Sequence, residues 1–118
     1  LQDSVTLGLE LDKRYHGVEL PAKFKMGVAG CPNKCTDAAS VDLGFMGTSN
    51  GFHVYVGGNG GVKPRPADLL AENLTAGEAL DVADKVVYYF KIMGRPDERI
   101  GKMIDRMGLE NFKEAVLT

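Results

Sequence analysis

Residues 20–35 read LPAKFKMGVAGCPNKC, an alternation of apolar residues that leads into a pair of cysteines. The apolar side chains of Phe24, Met26 and Val28 alternate with lysine and glycine, which is the period-two pattern of a half-buried strand. A glycine then ends the pattern, and a pair of cysteines with three residues between them follows at once. We therefore predict a strand over residues 24–29 that leads directly into the segment Cys31-Pro32-Asn33-Lys34-Cys35.

A helix is predicted before this strand. Over residues 3–16, the side chains of Leu7, Leu11 and Tyr15 recur on one helical face, and Gly17 stands where a glycine commonly ends a helix.

Two further strands are predicted after the cysteines, over residues 41–46 and 52–56. The turn residues Thr48-Ser49-Asn50-Gly51 lie between them, so we expect an antiparallel hairpin. Five residues, of which four are glycine, follow at 57–61, and a Lys-Pro-Arg-Pro run follows at 63–66. A loop this rich in glycine lets backbone amides approach a ligand closely, although a flexible loop has the same composition.

The second half of the chain reads as helical. Residues 76–93 carry an apolar stripe, and Thr75 and Glu78 have the spacing of a capping box. A second helix is predicted from Pro96, in its first turn, to about Met107, and a third over residues 109–117. Together the patterns predict one α+β domain over residues 1–118, α/β sandwich-like, with a small mixed or antiparallel sheet and helices packed on it.

Composition excludes several classes of protein. With 118 residues, 44% hydrophobic, 25% charged and a net charge of −2, the chain resembles an ordinary globular domain and gives no case for nucleic-acid binding. No apolar run approaches the roughly 18 residues of a membrane span. Residues 20–66 contain five basic side chains and two acidic ones. This local excess of positive charge favours binding of a small anion. Two cysteines without a secretion signal indicate a reducing cytoplasm and a metal or redox site.

The cysteine pair alone leaves several kinds of site open. Thiolates are the soft ligands of iron–sulfur clusters, and Cys31 and Cys35 can reach two corners of one cluster if the backbone turns tightly. Two free cysteines in a core fit the same pattern. A structural zinc site takes four ligands. His16 and His53 do not have the spacing of a ligand pair, so zinc is less favoured. A radical cluster that uses S-adenosylmethionine needs a third nearby cysteine, and a thioredoxin-type pair has two intervening residues.

Several motifs in fixed order extend the argument over nearly the whole chain. They are Leu20-Pro21-Ala22-Lys23-Phe24-Lys25, Gly30-Cys31-Pro32-Asn33-Lys34-Cys35, Asp42-Leu43-Gly44-Phe45, Val56-Gly57-Gly58, Pro64-Arg65, Arg95-Pro96-Asp97-Glu98-Arg99 and Gly108-Leu109-Glu110-Asn111-Phe112. This ordered set closely resembles the cluster-binding C-terminal domain of the nitrite and sulfite reductase family.

The resemblance implies a specific site. In that family four cysteines hold a [4Fe–4S] cluster, and the last of them also bridges to the iron of sirohaem. Carried over, Cys31 is a cluster ligand, and Cys35 is both cluster ligand and axial sirohaem thiolate. The reaction implied is the six-electron reduction of sulfite to sulfide or of nitrite to ammonia. The remaining candidate cofactor-binding residues are Asn33, Lys34, Gly57, Gly58, Lys63 and Arg65.

The sequence departs from the family in one respect, because no cysteine precedes Cys31. The family's first pair lies a short way upstream, so we expect a fragment that begins, at Leu1, just after that pair. No catalytic residue is then expected in isolation, and the expected partners are the remainder of the reductase chain or a partner subunit, and an electron donor. The alternatives are a non-catalytic small binding or regulatory module, and an electron-transfer subunit whose other two ligands come from a partner.

Overall fold

A computed structural model describes residues 4–29, 41–60 and 64–117, and these residues form an α+β fold. In chain order the elements are α1 (Ser4–Tyr15), β1 (Met26–Ala29), β2 (Leu43–Thr48), β3 (Gly51–Val56), β4 (Asp68–Leu74), α2 (Ala76–Met93), α3 (Ile100–Met107) and α4 (Leu109–Leu117). In the described part of the chain, no helix combines the length and hydropathy needed to cross a bilayer.

The four strands form one mixed sheet in the order β1-β2-β3-β4. β1 runs parallel to β2, with Met26 opposite Leu43 and Ala29 opposite Met46, while β2–β3 and β3–β4 are antiparallel. The predicted hairpin is confirmed, because Thr48 pairs with Gly51 across a two-residue turn. A small mixed or antiparallel sheet was predicted, and the observed sheet is mixed.

One face of the sheet carries the core. Phe52 and Val54 are buried on β3 while His53 and Tyr55 are half-buried, so alternation along the strand separates the two faces. α1 packs on β1, α2 packs on β3 and β4, and the two helices touch each other. The buried cluster comprises Leu7, Leu11, Leu43, Phe45, Phe52, Val54, Val56, Leu70, Ala79, Ala83, Val86, Phe90, Ile100, Met103, Ile104, Phe112 and Val116.

Polar contacts fix α1 against α2. Arg14 Nη1 donates to Asp84 Oδ2 at 2.9 Å, and the Tyr15 hydroxyl donates to Asp84 Oδ1. Burial raises the pKa of Tyr15, and its hydrogen bond to Asp84 adds to the shift. The hydroxyl therefore stays protonated and keeps donating throughout the physiological pH range.

The predicted caps of α2 are confirmed. Thr75 and Glu78 form a reciprocal capping box, and Gly94 is the C-cap, its N–H bonded to the carbonyl of Phe90. The start predicted for the next helix is wrong, because α3 begins at Ile100 and not around Pro96. Asp97 has a φ of 63°, a conformation that a helix cannot contain.

The strand β4 was not predicted from the sequence. Asp68–Leu74 contains Asp, Glu and Asn, which are depleted in strands, and its apolar residues do not alternate. Its pairing with β3 is irregular between Phe52 and Tyr55, and Asn73 has a φ of 57°. This edge strand is therefore defined by its pairing partner more than by its own residues.

Candidate cofactor site

The structure describes some of the candidate site residues and not others. Gly57, Gly58 and Arg65 lie within the described residues. Cys31, Asn33, Lys34, Cys35 and Lys63 lie outside the described residues. The cysteine motif begins two positions after Ala29, where β1 ends, and the described segment resumes at Val41, just before β2.

Gly57 stands at the sheet end where β1 and β2 begin. Its N–H donates to the carbonyl of Asp42 at 2.9 Å, and its φ of 81° is one that glycine adopts readily. A Cβ at this position would stand 2.6 Å from Arg65 Nη1, so a larger residue would have to displace the guanidinium as well as adopt this φ. Farther along the loop, Asn59 and Arg65 exchange two backbone hydrogen bonds of 2.9 Å each. The loop is thus closed by its own backbone.

The guanidinium of Arg65 is fully engaged within the protein. Nε and Nη2 donate to the two carboxylate oxygens of Asp105 at 3.2 and 2.9 Å, and Nη2 also donates to Asp68 at 2.9 Å. Nη1 donates to the carbonyls of Gly57 and Pro66 at 3.1 and 3.2 Å. These bonds use all five N–H donors of the side chain. Arg65 therefore joins the glycine loop, the start of β4 and α3.

This engagement has electrostatic consequences. The hydrogen bonds that Arg65 donates to Asp105 and Asp68 raise the pKa of Arg65, and the guanidinium in turn lowers the pKa of Asp105. A cofactor carboxylate can bind Arg65 only by exchanging with one of these bonds. Binding of sirohaem carboxylates by Arg65 and Lys63 therefore stays a prediction, and the structure gives Arg65 a structural role as well.

A second Arg–carboxylate pair lies beside the first. Asp42 is 1% exposed, and its Oδ2 and Oδ1 accept from Arg99 Nη2 at 2.6 Å and Nε at 3.2 Å. Asp42 Oδ2 also accepts the backbone N–H of Lys25 at 2.8 Å. Both residues belong to the motifs recognised in the sequence, but their partnership was missed. Since 57 positions separate them, no local pattern reveals it.

These residues surround a cavity of about 180 Å³, which we call the glycine-loop cleft. Its lining is Asp42, Gly57, Gly58, Asn59, Arg65, Arg99, Gly101, Lys102 and Asp105. At about 30 Å³ per water molecule, the cleft has room for roughly six waters. Pockets that enclose a drug-sized ligand measure about 300–1,000 Å³. As the described residues bound it, the cleft is therefore large enough to hold a small anion or to contact the edge of a large cofactor, and it is smaller than a pocket that encloses a drug-sized ligand.

A larger groove of about 580 Å³ lies between α1 and β1. Its lining is mainly apolar and comprises Val5, Gly8, Leu9, Leu11, Asp12, Met26, Gly27 and Val28. Val5 and Leu9 are 70% and 67% exposed at its rim. With Asp12 as the one ionisable side chain in this lining, the groove offers apolar surface more than acid–base groups.

Comparison with known proteins identifies the family. The family model described as "Nitrite and sulphite reductase 4Fe-4S domain" matches residues 1–118. An assimilatory-type sulfite reductase of Nitratidesulfovibrio vulgaris is 37% identical over 117 residues, which are 99% of this chain and 54% of the relative. A nitrite reductase [NAD(P)H] of Bacillus subtilis is 36% identical over 98% of this chain and 14% of its own length.

Solved structures show the same fold. The NirA protein of Mycobacterium tuberculosis superposes with a TM-score of 0.84 at 24% identity, over 97% of this chain and 23% of its own. Dissimilatory sulfite reductase I superposes with a TM-score of 0.86 at 16% identity, over 98% of this chain and 48% of its own. The chain thus spans about half or less of the length of these relatives. On the family match and the sequence identities, this chain belongs to the nitrite and sulphite reductase 4Fe-4S domain family.

Proposed function

We propose that this chain is the part of a sirohaem-dependent sulfite or nitrite reductase that supplies Cys31 and Cys35 to a [4Fe–4S] cluster. Cys35 also ligates the sirohaem iron. The observation that carries the proposal is the family match over residues 1–118, together with the C-x3-C pair directly after β1. The reaction served is the six-electron reduction of sulfite to sulfide or of nitrite to ammonia.

The donor set fits the cluster chemically but supplies half of it. Thiolates are the ligands that iron–sulfur clusters select, and this chain contains two cysteines where such a cluster takes four. The other two thiolates must come from the remainder of the reductase polypeptide or from a partner subunit. The cofactors, when bound, store and deliver electrons one at a time, and the protein's task is to hold and tune them. The 118-residue chain alone therefore carries out no reduction.

The neighbouring residues are proposed to surround the cofactors. Asn33 and Lys34 lie between the two cysteines in the sequence, and we expect them to contact the same cofactor. We expect the backbone at Gly57 and Gly58 and the cations Lys63 and Arg65 to contact it as well. Since the glycine-loop cleft is small, it contacts one margin of the sirohaem or admits the anionic substrate. The further partner is an electron-donor protein or domain. The proposed compartment is a reducing cytoplasm.

Anaerobic reconstitution tests the ligand assignment. The protein to use is a reductase polypeptide that contains residues 1–118 together with the family's upstream cysteine pair. We expect four iron atoms per cluster and the visible absorbance of an iron–sulfur protein. The variants Cys31→Ser and Cys35→Ser should lose the cluster, and Cys35→Ser should also lose the magnetic coupling between cluster and sirohaem. Ser49→Ala, in the exposed β2–β3 turn, is the control. If the unmodified protein binds neither iron nor sirohaem, the proposal fails.

A second comparison separates the two roles of Arg65. In the same polypeptide, Arg65→Lys keeps the charge but loses the planar five-donor fork. Asp105→Asn leaves Arg65 unchanged and weakens the ion pair between residue 105 and the Arg65 guanidinium. If Arg65 binds a sirohaem carboxylate, Arg65→Lys lowers the sirohaem content and Asp105→Asn preserves it. Equal sirohaem content in both variants, with equal losses of stability, would assign Arg65 a structural role alone.

A further inference from the structure

One buried carboxylate ties together four parts of the fold. Asp42 accepts from the backbone N–H of Lys25, just before β1, and its carbonyl accepts from Gly57, just after β3. It stands directly before β2, and its side chain pairs with Arg99, which occupies the N-cap position of α3. Among the described residues, Asp42 is the one residue with a polar or charged side chain that is buried.

Both cysteines lie in the sequence between Ala29, the last residue of β1, and Asp42, which directly precedes β2. The segment that contains them leaves β1 after Ala29 and reaches β2 through Asp42. At its first end, Ala29 is held opposite Met46 by the β1–β2 ladder. That ladder is anchored at Lys25, whose N–H donates to the Asp42 side chain and whose carbonyl accepts from Leu43 N at 3.1 Å. The Asp42–Arg99 pair therefore holds the C-terminal end of the cysteine segment to α3 directly, and it holds β1 at Lys25, four residues before the N-terminal end of the segment at Ala29.

The energetic cost of such a pair indicates a role beyond stability. Burying an Arg–carboxylate pair removes both charges from water, and apolar residues of the same volume are often equally stabilising or more so. A pair with bidentate geometry instead fixes direction and distance, because two parallel N–H···O bonds allow little rotation. The contact is thus better suited to setting positions than to adding free energy.

We propose that Asp42 and Arg99 are positioning residues for the cluster, in that their ion pair fixes the C-terminal end of the segment that contains Cys31 and Cys35 and holds β1, the strand from which that segment departs. The inference rests on the proposed function and adds to it the residues that keep the ligand geometry. It assigns no contact between either residue and a cofactor.

A matched pair of variants tests the inference in the full-length, cofactor-loaded reductase. Arg99→Gln removes the bidentate pair with Asp42. Arg106→Gln is the control, because Arg106 also makes a bidentate pair, with Glu98 at 2.8 Å for both bonds, yet it lies at the far end of α3. Arg99→Lys and Asp42→Asn complete the series, since the first keeps the charge without the fork and the second keeps the shape without the charge.

The readouts are the electron paramagnetic resonance spectrum of the coupled cofactors and the rate at which a chelator removes iron. Both are measured at a temperature where circular dichroism shows every variant to be folded. We expect Arg99→Gln and Asp42→Asn to alter the spectrum and to speed iron loss several-fold. Arg99→Lys should give a smaller change, and Arg106→Gln should match the unmodified protein.

Two results would overturn the inference. The first is an unchanged spectrum and unchanged iron loss in Arg99→Gln and Asp42→Asn, and the second is an equal change in Arg106→Gln. Either leaves the ligand assignment standing, because the unmodified protein still holds its cluster. Failure of the ligand assignment is seen separately, as absence of iron from the unmodified protein.

Discussion

Gly57 and Gly101 bring the glycine loop and the first turn of α3 into direct contact. A Cβ at residue 101 would stand 2.8 Å from the carbonyl oxygen of Gly57 and 2.8 Å from Arg65 Cδ. Because one of these atoms belongs to the backbone, it cannot move aside cheaply. The side chain of Arg65 lies against both glycines, so the loop, the guanidinium and the helix form one packed unit.

The first prediction concerns this contact. Gly101→Ala should lower the free energy of unfolding by about 1–2 kcal/mol, because overpacking costs about 1–3 kcal/mol and the gain in helix propensity returns at most about 1 kcal/mol. Gly77→Ala is the matched control, since Gly77 is also the second residue of a helix and its added Cβ would meet nothing closer than 3.9 Å. Urea denaturation of both variants measures the difference. A Gly101→Ala variant as stable as Gly77→Ala would refute the contact.

The second prediction concerns acid stability. Hydrogen bonds from Arg106, and then from the backbone N–H of Arg95, lower the pKa of Glu98 from 4.5 to about 2. Because the pKa is depressed in the folded state, the ionised carboxylate contributes stability that is complete above pH 4.5 and is lost as the pH falls towards 2. Glu98→Gln should therefore flatten the decline in unfolding free energy over that interval. Denaturant titrations at several pH values measure how steeply the unfolding free energy declines with pH, and Glu72→Gln, at an exposed position of β4, is the control. If Glu98→Gln leaves that decline unchanged, the prediction is wrong.

The third prediction concerns the contact between α2 and α4. Phe112 is fully buried and meets Tyr89 edge-on, with ring centroids 5.9 Å apart. Phe112→Ala should lower the unfolding free energy by about 3–5 kcal/mol, since it leaves a cavity in addition to the lost transfer energy. Tyr88→Ala, on the exposed face of α2, should change it by less than about 0.5 kcal/mol. Thermal unfolding distinguishes the two, and similar midpoints would mean that α4 is not packed as described.

The fourth prediction concerns the start of α2. Glu78 N–H donates to Thr75 Oγ1 at 3.1 Å, and Thr75 N–H donates to Glu78 Oε1 at 2.9 Å. Thr75→Ala should cost about 1 kcal/mol, because it leaves a helix N–H without its acceptor. Thr75→Ser keeps the hydroxyl and should stay close to the unmodified protein. Chemical denaturation compares the two, and equal losses in both would assign the effect to the methyl group instead of the cap.

Local patterns in the sequence predicted the features whose interacting residues are close together in the chain. The capping box at Thr75 and Glu78 and the turn between Thr48 and Gly51 were both predicted, and both are confirmed. Their partners lie within a few residues, so periodicity and turn chemistry suffice. The boundaries of α1 and α4 also agree with the predicted ranges to within about one residue.

Features that depend on distant partners could not be predicted in this way. β4 is recognisable by its pairing with β3, since Glu72 and Asn73 do not favour a strand. Arg65 reads as a cation available to a ligand, but it is bonded to Asp105, 40 residues away. The Asp42–Arg99 pair is missed for the same reason. Side-chain partnership across the fold is the information that a single sequence lacks.

The separation of 57 positions between Asp42 and Arg99 also sets the order in which the protein can be completed during synthesis. The ribosome adds about 5–20 residues per second, so Asp42 emerges roughly 3–11 s before the arginine that neutralises it. Until Arg99 is available, burial of the Asp42 carboxylate is unfavourable. During that time β1, the strand before the cysteines, lacks this contact. The nascent chain should therefore complete the β2–β3–β4 meander and α2 first and join its N-terminal strand last.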